Sequence, residues 1–117
     1  FKQAKAVYDA KKILTDDQKN IALFWADGGG TITPPGHYMN IATQVLKKES
    51  AKLDKVAETY AKMGMALNDA FVACWRCKYR YNLMRPITYI RETIDPVWTP
   101  LIATPPFPEY SSGHSSG

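Results

Sequence analysis

The sequence predicts an all-α protein, a bundle of helices. The segment from about 52 to 84 repeats its apolar residues every three or four positions, the spacing of one helix face. No segment alternates apolar and polar residues as a half-buried strand does, and there are no internal repeats. Helix start and stop signals divide the remainder into short helical stretches.

Residues 2–12 (KQAKAVYDAKK) read as a short helix with Val7, Tyr8 and the alanines on one side. Thr15 opens a second helix, with Gln18 three residues on in the capping-box position, and Gly28-Gly29-Gly30 stop it. Thr33, with Pro34 at the first helical position, starts a third helix that runs to about Lys48. The long helix carries the stripe Leu53, Val56, Tyr60, Met63, Leu67, Phe71 and Cys74. Pro86 is expected to end it, since proline lacks an N–H and disfavours helix at the preceding residue. Five prolines between Asp95 and Tyr110 (Pro96, Pro100, Pro105, Pro106 and Pro108) predict an ordered, irregular loop.

Composition narrows the function classes. With 117 residues, 45% hydrophobic and 22% charged, the chain reads as a soluble globular segment of at most one domain. Fifteen Lys and Arg against eleven Asp and Glu leave +4, spread along the chain, so nucleic-acid binding is not supported. No apolar run approaches the roughly 18 residues of a membrane span. Two cysteines make no disulfide framework. The chain starts at Phe1 without an initiator Met or signal peptide and stops at Gly117 inside SSGHSSG, so it reads as part of a longer polypeptide.

Two groups of residues carry chemistry. Beyond Cys74 the stripe reaches Lys78 and then Arg85; seven residues is nearly two turns, which would point both cations the same way, about 10 Å apart along the axis. Such cations ordinarily snorkel to solvent. Two of them on an apolar face at a helix end instead suggest a pocket for an anion, because a buried cation pair is costly without one. The second group is Tyr110-Ser111-Ser112-Gly113-His114. Small hydroxyl residues and glycine after a proline-rich loop suit the start of a helix, where unpaired N–H groups favour an anion. Ser112 could donate a hydroxyl, Gly113 would let the backbone approach closely, and His114 could serve as acid or base. Alone, this second group is a weak signal and reads more readily as a flexible end.

Lys78, six residues, Arg85-Pro86 and then Ser112-Gly113-His114 together resemble the first two signatures of a known superfamily, the vanadium-dependent haloperoxidases and type 2 phosphatidic acid phosphatases. The family pattern is K-x6-R-P, then P-S-G-H, then S-R-x5-H-x3-D. The run KYRYNLMRPITYIR, with PLIATPPFPEYSSGH after it, looks most like the soluble haloperoxidase branch, and the resemblance is clearest over residues 69–117. Residues 1–117 then form a partial helical domain of this type, truncated on the C-terminal side. Ser111 stands where the family has proline, and the third signature, with a further arginine and the vanadium-ligating histidine, is absent from this chain.

The resemblance implies roles. Lys78 and Arg85 would bind oxygens of vanadate, or of phosphate in a phosphatase, and the planar fork of arginine suits two oxygens at once. Ser112 and the Gly113 amide would donate to the same anion, and His114 would be the acid/base group. Trp75 and Phe107 resemble aromatics near the halide site of family chloroperoxidases, although both are also ordinary core aromatics. The implied cofactor is vanadate, and the implied partners are peroxide and halide, with the remainder of the polypeptide completing the site. The alternatives are a soluble acid phosphatase acting on phosphomonoesters and a non-catalytic anion-binding homologue. Family members are often exported, which leaves a secreted or periplasmic location open.

Other features read as structural. Cys74 and Cys77, three residues apart on one helix with no second ligand pair, are expected to be reduced core thiols. His37, in the first turn of a helix, suits a structural or surface role better than a ligand. Gly28-Gly29-Gly30 is a connector without the strand of a nucleotide loop. Asp27 and Asp69 are both candidates to pair with a site cation, and Lys47 to Lys55 is most simply a solvated face.

Overall fold

A computed structural model describes residues 1–117 as six helices joined by turns and one long irregular loop, without strands. The helices are α1 (Lys2–Lys12), α2 (Asp16–Phe24), α3 (Thr33–Lys48), α4 (Leu53–Tyr81), α5 (Pro86–Thr93) and α6 (Gly113–Ser116). None is long and apolar enough to cross a membrane. The chain divides into two units, one of residues 1–26 and 77–110, the other of residues 27–76 and 111–117. Helix α4 supplies residues to both.

In the first unit α1 packs on α5, and Ile90 of α5 is fully buried. The predicted capping box at the start of α2 is present: the Gln18 N–H donates to Thr15 Oγ1 at 3.2 Å, and the Thr15 N–H to Gln18 Oε1 at 3.0 Å. The proline-rich loop is ordered by its carbonyl groups. Its five prolines carry no N–H, and cations of the surrounding helices supply the missing donors. Lys11 donates to Thr99 O, and Arg91 Nε to Trp98 O at 2.8 Å. Tyr8 adds a hydroxyl to the Asp95 carboxylate at 3.3 Å.

In the second unit the turn between α3 and α4 is a Schellman motif. The Ala51 N–H reaches Leu46 O at 3.0 Å and the Ser50 N–H reaches Lys47 O at 3.1 Å, with Ser50 itself left-handed at φ 49°. Thr43 Oγ1 and Tyr60 Oη, 2.7 Å apart, tie α3 to α4. The stripe of α4 faces inward as its spacing predicts: Val56, Tyr60, Met63, Leu67 and Phe71 are partly covered and Cys74 is buried. Leu53, at the first position, is the exception and is exposed. A Cβ at Gly117 would stand 3.0 Å from Tyr38 and 3.1 Å from Phe71, so those rings would have to give by a few tenths of an ångström.

Three boundaries differ from the sequence expectation. Helix α3 takes Ile32 rather than Thr33 as N-cap, and Thr33 adopts φ 66°. Helix α4 ends at Tyr81, not at about residue 84, and proline is not what ends it. Asn82 turns left-handed at φ 46°, one of the few residues that tolerates this, while its N–H still donates to Lys78 O at 2.8 Å. Pro86 then begins something instead of ending it. With φ locked near its helical value it takes the first position of α5, and Arg85 before it is extended (φ −68°, ψ 142°) and serves as N-cap.

Candidate functional site

That boundary shift changes how the two cations meet. Lys78 and Arg85 do not share a helix: Lys78 lies in the last turn of α4, and Arg85 follows a three-residue break, at the start of α5. They nevertheless converge within the first unit, on residues 107–109 of the proline-rich loop. Lys78 is 1% exposed, and its ammonium donates to Pro108 O at 2.9 Å and Glu109 O at 3.1 Å. Arg85 donates from Nε to Phe107 O at 2.7 Å and from Nη1 to Glu109 Oε2 at 2.8 Å. The Phe107 ring receives both cations, with Lys78 Nζ 5.2 Å and Arg85 Cζ 4.9 Å from its centroid.

This is a concentrated positive site with partial internal compensation. The carbonyl oxygens supply dipoles to the buried ammonium, and the Glu109 carboxylate supplies a full charge to the guanidinium. The burial of Lys78 excludes the snorkelling arrangement.

Trp75, Ser112, Gly113 and His114 belong to the second unit and are gathered there. Ser112 is the N-cap of α6, as the small-residue sequence predicts, and its hydroxyl oxygen accepts the Ser115 N–H at 3.3 Å. That role uses a lone pair and leaves the hydroxyl hydrogen to donate elsewhere. The Trp75 ring lies against Gly113, where a Cβ would meet it at 3.5 Å, an ordinary contact. The packing described there does not itself demand glycine. Tyr38 of α3 donates its hydroxyl to His114 O at 2.9 Å and fixes the main chain of the turn, while the histidine side chain is exposed. Trp75 also stacks, tilted by 34°, on Phe71 at 5.8 Å.

Ser111, at the proline position of the family motif, holds its place by a different device. Its hydroxyl donates to Cys74 Sγ at 3.4 Å, and the thiol in turn lies 3.5 Å from Ser111 O. Both cysteines are free thiols, Cys74 buried and Cys77 partly so.

A family model for the VCPO second helical-bundle domain matches residues 58–97, the stretch that contains both Lys78 and Arg85. The vanadium chloroperoxidase of Curvularia inaequalis is 31% identical over 120 residues, which cover 80% of this chain and 20% of that protein. A solved structure described as the first bacterial vanadium-dependent iodoperoxidase matches with a TM-score of 0.91 at 42% identity, over 97% of this chain and 30% of that one. The chain belongs to the vanadium haloperoxidase superfamily.

This superfamily chain thus spans a fifth of the curated chloroperoxidase and under a third of the iodoperoxidase. Sequence reasoning missed two residues around these motifs. One is Tyr38, whose distance of 76 positions from His114 left no local signal. The other is Glu109. Of the two acids the sequence offers as partners of a site cation, Asp27 instead holds His37 Nδ1 at 2.8 Å, and Asp69 accepts from Asn68 Nδ2 at 3.4 Å. The carboxylate on Arg85 comes from Glu109, the only acid between Pro96 and Gly117. That isolation within the loop was the available clue.

Proposed function

We propose that the protein carrying this chain is a vanadate-dependent haloperoxidase that oxidises a halide with hydrogen peroxide, and that this chain contributes part of its oxyanion site. The observation that carries the reading is the convergence of Lys78 and Arg85 on residues 107–109 in a chain related to a vanadium chloroperoxidase and a vanadium iodoperoxidase.

The residues present fit the group. Arg85 already donates to a carboxylate oxygen, that of Glu109, at 2.8 Å, and the same planar fork suits the oxygens of an oxyanion. Its Nη2 takes no part in the contacts with Phe107 and Glu109. Lys78 adds a second charge whose position is set by two carbonyl groups. Donors fixed before an anion arrives stabilise it without reorganisation, and this is worth most where water is scarce. In this reading Lys78 and Arg85 bind vanadate oxygens, and Ser112, the Gly113 amide and His114 take the roles the family resemblance implies, two hydrogen-bond donors to an oxyanion and an acid/base group. Vanadate, when bound, supplies the Lewis-acid activation of peroxide. Trp75 and Phe107 are the proposed halide-pocket aromatics. The third family signature, with its arginine and histidine, is not found among these 117 residues.

The test uses the full-length protein. Peroxide-dependent bromination of a dye is measured after loading with orthovanadate, beside phosphate release from a generic monoester without vanadate. Bromination that requires vanadate is the expected result. Phosphate release without bromination would move the same residues into a phosphatase, and silence in both assays would leave an anion-binding homologue. Replacing His114 with Ala is expected to lower bromination about 10²-fold or more, with the vanadate dissociation constant nearly unchanged. Unaltered turnover would remove His114 from the reaction.

A further inference from the structure

Glu109 touches both cations of the proposed oxyanion site and differs from every other residue there in carrying negative charge. Three bonds place it. Its N–H donates to Leu83 O at 3.0 Å, its carbonyl accepts from Lys78 Nζ at 3.1 Å, and its carboxylate accepts from Arg85 Nη1 at 2.8 Å. The first two are main-chain bonds, so the position of the residue does not depend on its side-chain charge. The carboxylate therefore has an effect separable from the fold: it cancels one of the two positive charges gathered at residues 107–109.

We propose that Glu109 is an internal counter-ion of the Lys78–Arg85 pair, a specificity-determining residue that holds down the affinity of the pair for oxyanions in proportion to the charge they carry. The inference rests on the oxyanion reading of those two cations. Two physical effects act in the same direction. An anion on Arg85 is repelled by the carboxylate already bound to the guanidinium, and it must share or displace that carboxylate to use the Nη1 edge. Against them stands the orienting value of the Glu109 contact. A glutamine keeps that contact, because its amide oxygen accepts from Nη1 just as the carboxylate does, and it removes only the charge. The two contributions can therefore be separated by one substitution. With 20% of the Arg85 side chain and 39% of the Glu109 side chain exposed, solvent screens part of the repulsion, and added salt screens more of it.

The experiment is isothermal titration of the full-length protein with inorganic phosphate and, separately, with the monoanion nitrate. It is done on the parent protein and on the Glu109→Gln, Glu109→Ala and Arg85→Ala variants, with far-ultraviolet circular dichroism to check that each keeps its helices. Glu109→Gln is expected to bind phosphate about three- to tenfold more tightly than the parent at low ionic strength, to gain less for nitrate, and to lose the difference as salt is raised. Loss of a contact that only oriented the guanidinium would weaken binding instead. Glu109→Ala is expected to gain less than Glu109→Gln, because it also frees the guanidinium to turn. Arg85→Ala is expected to weaken phosphate binding. Unchanged or weaker binding by Glu109→Gln, with Arg85→Ala still weakened, would overturn the counter-ion role and leave the oxyanion reading standing. If Arg85→Ala bound phosphate as the parent does, the oxyanion reading would fall and the role of Glu109 with it.

Discussion

The two units secure their motif residues by different means. In the first, the proline-rich loop is held by charge: Lys11, Lys78, Arg85 and Arg91 each donate to its carbonyl oxygens. In the second, the segment Ser111–Gly117 is held by neutral groups, a tyrosine hydroxyl on His114 O, a serine hydroxyl on a thiol, a serine N-cap and an indole face. The difference follows from sequence. A loop with five prolines is rich in acceptors and poor in donors, and lysine and arginine are long enough to bring donors from neighbouring helices. A short run of serine and glycine has hydroxyl and amide groups of its own. A cation buried to stabilise a loop is also a cation poised for an anion, and the first unit combines both properties in Lys78 and Arg85.

The sharpest way to break the comparison is Lys78→Met, which keeps the apolar stem and removes the charge. It leaves Pro108 O and Glu109 O without this donor in a buried setting, and hydrogen bonds to charged groups are worth about 1.5–3 kcal/mol each. A loss of about 2–4 kcal/mol in urea unfolding is therefore expected, with phosphate binding lost as well. A loss below 1 kcal/mol would mean that the loop orders itself without the cation. Ser112→Ala probes the neutral side. Removing the cap hydroxyl from a four-residue helix is expected to cost about 0.5–1 kcal/mol, read from the same unfolding curves. A cost as large as that of Lys78→Met would erase the distinction between the units.

The smallest effect tests whether charge or burial matters. Glu58 on α4 is exposed and paired with Lys62 and Lys55. The Lys62 hydrogen bond, then that of Lys55, holds its carboxyl below the ordinary value of 4.5. A carboxyl lowered by folding adds stability that is complete above its unfolded pKa and fades as pH falls through the folded value. For this exposed group the addition is slight. Carbon-13 titration of Glu58 should give a midpoint below 4.5 that rises toward it in Lys62→Ala, with little change in unfolding. A large stability change in that variant would show that surface charge does what the comparison reserves for buried charge.

Much of this was legible in the residues. The stripe of α4 is a local periodicity, and the capping box of α2 spans four positions, so both are written in adjacent sequence. The convergence of Lys78 and Arg85 was also legible, but by a route the structure revises. Extending one helix through both placed them on a common face, whereas Asn82 ends α4 and the loop at 107–109 brings them together. Left-handed geometry at an asparagine is a tertiary choice, weakly encoded in the residue itself. Glu109 and Tyr38 act across 24 and 76 positions, a range at which spacing says nothing.

The proline-rich loop has a consequence for any experiment that maps order through amide protons. Its five prolines have no amide to exchange, and much of its order is recorded on carbonyl oxygens that bind lysine and arginine side chains. Exchange rates would therefore register this segment only at its few bonded amides, such as those of Trp98, Phe107 and Glu109, and would miss the order held on its carbonyl groups. Carbonyl carbon shifts, or side-chain ammonium and guanidinium proton signals in cold samples, are the observables that would register its rigidity.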